Sequence, residues 1–107
     1  MKQYITPVLA ISAFALSLVM VSTPVSAHGN VSCKSGPKSA WVSVDKLKAQ
    51  LVKQGWTIKK AKPEKDCYEV YGKTPEGDNV EAFFHPVSFK KIMVMKRGKM
   101  LYRAPGY

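Results

Sequence analysis

The side chains in this sequence best equipped for chemistry are two glutamates, two histidines, two cysteines and three late methionines. Glu69 and Glu81 stand at matching positions of two alternating segments, so their carboxylates could converge as an acid/base pair. On a surface crowded by Lys59, Lys60 and Lys62 they are better read as cross-strand ion pairs, each contributing about 0 to 1 kcal/mol. His28 and His85 are accompanied by no G-x-S-x-G, H-E-x-x-H or paired-thiol motif, so no enzyme is expected and no catalytic residue is assigned. A different chemistry arises if the chain is cut before His28. Its free α-amine and imidazole would then chelate copper, His85 could add a third nitrogen, and Met93, Met95 and Met100 could add soft sulfur donors. Methionines in strands more often fill gaps in a core. The sequence therefore implies no cofactor and no metal, with copper at His28 and His85 as an alternative.

The chemistry open to Cys33 and Cys67, the only cysteines, depends on compartment. The chain starts with Lys2, continues through an uncharged apolar run over 8–21, breaks at Pro24 and reaches the small-residue sequence Val25-Ser26-Ala27. This pattern predicts a signal peptide over 1–27, cleaved between Ala27 and His28, and a periplasmic or secreted protein. The run falls short of the roughly 20 apolar residues that cross a bilayer, so no stable span is expected after cleavage. Export would allow Cys33 and Cys67 to form a disulfide, worth about 3 to 4 kcal/mol for a loop of this length on the chain-entropy model. Two free thiols or a metal pair are the alternatives; the second lacks any further cysteine.

The elements that must position these groups centre on Asp66 to Pro86. Tyr68 and Val70 alternate with Cys67, Glu69 and Tyr71; Val80, Ala82 and Phe84 alternate with Glu81, Phe83 and His85. Two arms of period two predict an antiparallel hairpin, with Gly72, Pro75, Gly77, Asp78 and Asn79 reversing the chain between them. Upstream, Ser43 is a good helix N-cap, Asp45 suits the first turn, Val42 and Leu47 have staple spacing, and Gly55 can end the helix. Val44, Leu47, Leu51 and Val52 make its apolar face. Trp56, Ile58 and Lys60 alternate in a first strand that ends near Pro63, Ile92 to Met95 predicts a fourth, and Met100 to Arg103 could add a short fifth. The fold class is α+β: one amphipathic helix packed on a three- to four-stranded antiparallel meander. The organisation is a signal peptide (1–27), an irregular arm (28–40) and one domain (41–104).

The net charge of +10 should attract anionic partners. A basic binder of polyanions or membrane surfaces is a second alternative. Nucleic acid is not expected, because export removes the protein from it and no binding motif is present.

Residues 47–56, L-K-A-Q-L-V-K-Q-G-W, followed by D-C-Y-E-V-Y-G from Asp66 and E-G-D-N-V-E-A-F-F-H-P from Glu76, resemble the PepSY domain family. The likeness is greatest to small exported single-domain members with two cysteines. That pattern usually has Asp before the proline and Gly in the following turn, where this chain has His85 and Phe89-Lys90. The resemblance implies a non-catalytic module that binds another exported or envelope protein, including a peptidase that it would regulate or inhibit. With Tyr68, Val70, Val80, Ala82 and Phe84 turned to the helix, the expected partner-binding face is Glu69, Tyr71, Glu81, Phe83 and His85.

Overall fold

The computed structural model describes residues 31–107, together with Gln3. The rest of the segment read as a signal peptide, and His28, lie outside the described residues. After an extended arm and one 3-10 turn at Lys38–Ala40, helix α1 runs Val44–Lys53. Its start is chemical: the Ser43 hydroxyl accepts the Lys46 amide proton at 3.4 Å and Asp45 faces the positive end of the helix dipole. Its end is conformational, since Gly55 takes a φ of 98° that a side chain would resist. Leu47 and Leu51 are buried, each contributing about 1.5 to 3 kcal/mol relative to exposure. Val52 is 58% exposed, because one step of 100° beyond Leu51 carries it off the narrow stripe.

Five antiparallel strands follow in chain order: β1 Thr57–Glu64, β2 Cys67–Lys73, β3 Asn79–Phe84, β4 Lys91–Lys96 and β5 Lys99–Arg103. The meander thus has five strands where three to four are expected from the sequence. The last forms because Arg97 and Gly98 both adopt positive φ, 50° and 75°, between the paired residues Lys96 and Lys99. Two such residues make the tight turn whose twist matches that of the strands it joins. Gly72 and Asn79, read as turn residues, belong to β2 and β3. Gly72 is needed there because the β1–β2 register slips between Ile58 and Lys60, bringing the Thr57 carbonyl oxygen to 2.4 Å from where a Cβ would stand.

Each sheet face has its own core. On the helix side, Leu47 and Leu51 pack with Tyr68, Val70, Val80, Ala82, Phe84 and Val94. Trp41 meets Tyr68 edge-on at 5.5 Å and Trp56 meets Phe84 at 5.9 Å. The Tyr68 hydroxyl donates to the Val42 carbonyl at 2.6 Å, which fixes the helix entry. On the opposite side, Phe83, Ile92, Met93 and Met95 pack against the Cys33–Cys67 disulfide and Ala104, with Val31 and Tyr107 at the margin. This second core closes a surface that the sequence alone leaves open. The arm is tied down by the disulfide, and the Lys34 ammonium donates to the Gly106 carbonyl at 2.7 Å while lying 5.2 Å from the Tyr107 ring centre.

Candidate functional site

Strand alternation assigns Glu69, Tyr71, Glu81 and Phe83 to the face opposite α1, with His85 just past the end of β3, but only some of the five reach solvent. Phe83 is 0% exposed and Glu69 is 1% exposed, so neither can line a free binding face. The physical reason is the second core: the arm, pinned by sulfur, and the C-terminal tail cover the middle of the sheet. Tyr71, Glu81 and His85 are half-buried. Tyr71 and Glu81 are cross-strand partners at the mouth of a cleft of about 300 Å³ that Lys59, Met95 and Arg97 also line.

The two glutamates do converge, on a phenol. The Tyr71 hydroxyl hydrogen-bonds with both the Glu69 and Glu81 carboxylates. Burial, reinforced by these two acidic neighbours, holds the phenol well above its usual ionisation range, so it stays protonated. Lys62 stands opposite Glu69 in the strand register, yet its ammonium reaches Glu64, at 3.8 Å. Among the described residues Glu69 has no ion pair. In its place Glu69 keeps one oxygen, Oε1, buried without a hydrogen-bond partner. A carboxylate closed to solvent cannot reach a substrate, so the geometry lends no support to an acid/base dyad.

His85 works within its own turn. Its Nδ1 accepts the amide protons of Val87 at 3.1 Å and Ser88 at 3.3 Å, while the Phe89 amide donates to the His85 carbonyl at 2.9 Å. This is the role an aspartate would fill before a proline. Phe89 holds a φ of 61°, the left-handed region usually given to glycine. The two departures from the family pattern thus sit in the same turn, and the turn forms nonetheless.

The methionines proposed as soft donors divide: Met93 and Met95 are buried against Phe83 and Ile92, and Met100 is exposed on β5. Among the described residues, one group has metal-ligand proximity, Cys33, Asp66 and Cys67, with donor atoms within 4.8 Å of one another. Its two sulfurs are bonded to each other, so no thiolate is available. Burial tends to raise Asp66, but hydrogen bonds from the Ser32 hydroxyl and from the Cys33, Lys34 and Asp66 amides outweigh it and hold its pKa below 3.8. Asp66 is thereby a structural clasp on the arm, accepting from Ser32 at 2.7 Å and from the Lys34 amide at 3.1 Å.

An open surface lies on the helix side of the sheet, beside the last strand. There Trp56, Pro75, Val80, Val94, Leu101 and Tyr102 line a groove of about 340 Å³, with Glu76, Asp78 and Lys91 at its polar margin. Leu101 and Tyr102 are 49% and 38% exposed, and Met100 on the same strand is 45% exposed. The Lys91 ammonium sits 4.7 Å from the Tyr102 ring centre. Asp78 is engaged by Lys96 at 2.6 Å. The sequence signal for this site is the run K-M-L-Y-R, whose large apolar side chains stand on a strand that, among the described residues, has no neighbour on one side.

Among the described residues no helix is long and apolar enough to cross a membrane. Comparison with curated proteins and with solved structures gives no significant match. A family model described as peptidase propeptide and YPEB domain matches residues 11–94, beginning within the segment read as a leader and ending in β4. With one helix on an antiparallel meander and that match across most of its length, the chain belongs to the peptidase propeptide and YPEB domain (PepSY) family.

Proposed function

We propose that this domain is exported after removal of residues 1–27 and acts, without catalysis, by binding another exported or envelope protein, as a regulator or inhibitor of a peptidase. The family supplies the general expectation of a propeptide-like binding module. The observation that carries the reading here is the groove beside β5, where apolar side chains remain exposed although both faces of the central strands are covered. Leu101 and Tyr102 stand exposed side by side in that groove, next to the buried Val94, and such an apolar patch is a contact surface. The disulfide fits an oxidising compartment.

The test is site-specific photo-cross-linking in cell-envelope material, with the reactive group at Leu101 in one variant and at the exposed helix residue Lys48 in another. A discrete adduct from position 101 and none from 48 is expected, with mass spectrometry identifying the partner. If that partner is a peptidase, the purified protein should lower its rate saturably. No adduct from 101, or equal labelling from both positions, removes the reading.

A further inference from the structure

β5 is an edge, and its chemistry specifies what can be added to it. Among the described residues the sheet order ends at β5, so the backbone N–H and C=O groups on its outer side have no strand partner there. Its five residues are all exposed, with Lys99 and Arg103 bracketing Met100, Leu101 and Tyr102. A register shift opposite Val94 and Met95 leaves Leu101 unpaired in the ladder. Lys99, facing Lys96, and Arg103, facing Met93, therefore fall on opposite sides of the sheet. An incoming strand meets a cation at each end, whichever face its own side chains present.

That charge pattern disfavours one occupant and favours another. If two copies paired antiparallel through β5, each end would bring together Lys99 of one and Arg103 of the other, on opposite faces, and the strand K-M-L-Y-R has no carboxylate to offset that gathered positive charge. The groove adds an apolar seat next to the edge, formed by Leu101, Tyr102, Trp56 and Val94. We propose that β5 receives an extended segment of a partner protein as a sixth strand, and that this segment is apolar at its centre and acidic at both ends. The main chain would supply the ladder bonds, Lys99 and Arg103 the register, and the groove the side-chain preference. This rests on the binding-module reading above and names the chemistry of its partner.

The probe is a fluorescent peptide of sequence E-E-V-T-V-T-V-E-E, compared with its twin K-K-V-T-V-T-V-K-K, titrated against the purified protein by anisotropy at low and high salt. The acidic peptide should bind about tenfold more tightly than the lysine twin, lose that advantage as salt rises, and slow hydrogen exchange of the amides over 99–103. The double variant K99E/R103E should reverse the preference. Because Arg103 also donates to the Tyr107 carbonyl, K99E alone, which should halve the preference or more, serves if the double variant loses its fold. Equal binding of both peptides, no binding of either, or binding that leaves 99–103 unprotected overturns the proposal. Protection of 99–103 that appears with rising protein concentration alone would identify a second copy as the occupant and overturn it too. A cross-link from Leu101 alongside a failed peptide titration would retain the binding module and discard only the acidic strand.

Discussion

The Nδ1 atom of His85 accepts the Val87 amide proton at 3.1 Å, so the imidazole folds back on its own turn. A nitrogen with two amide donors around it is a structural acceptor, and in the neutral ring the proton is then on Nε2. This arrangement explains how the chain dispenses with the aspartate that usually precedes this proline. A histidine nitrogen and a carboxylate oxygen can each reach the first amides after the bend.

The consequence is a substitution series at position 85. His85→Asn and His85→Asp should retain the wild-type melting temperature to within a few degrees, whereas His85→Ala should cost about 1 kcal/mol. Thermal denaturation followed by circular dichroism decides. An alanine variant as stable as the parent would show that the amide contacts carry no net stability.

Alternation alone turns Phe83 toward a partner, whereas the fold buries it in the second core. Phe83→Ala should therefore destabilise the protein by about 3 to 5 kcal/mol, the usual cost of emptying a buried aromatic site. Urea titration measures it. A loss under 1 kcal/mol would mean that the arm and tail do not cover this face in solution.

Gly72→Ala is the smallest change predicted to do large damage. The added methyl would stand 2.4 Å from the Thr57 carbonyl oxygen, a backbone atom that cannot rotate away, so β1 must shift. The expected cost is about 2 kcal/mol or more, in the range of overpacked sites. A Gly77→Ala control meets no atom within 4 Å and pays only for its φ of 94°.

The arm should respond to pH through Asp66. Its folded pKa lies below the reference value of 3.8, so its contribution is fully present above that value and is lost as pH falls through the folded pKa. Stability measured between pH 6 and 2 should decline at the acid end, and Asp66→Asn should flatten that decline. An unchanged slope in the variant would show that the Ser32 and Lys34 contacts are not formed preferentially by the ionised carboxylate.

Local features were legible from residue types alone, because they depend on groups a few positions apart. Ser43 marks the helix start and Gly55 its end; Leu47 and Leu51 give one face; the alternation from Tyr68 to Val70 and from Val80 to Phe84 gives the strand faces that the register displays. The family pattern was also carried by short runs, and the Cys33–Cys67 pairing needed only the count of cysteines and the predicted compartment.

What tertiary structure alone decided is which of those faces stay open. Alternation states that Phe83 and Glu69 point away from the helix, but it cannot say that an arm anchored through Cys33 and a tail ending near Tyr107 return from opposite ends of the chain to cover them. It equally cannot say that Leu101 and Tyr102, on the last strand, stay 49% and 38% exposed beside the buried Val94. Solvent exposure is a property of every segment that packs on a residue, whereas periodicity is a property of that residue's own strand.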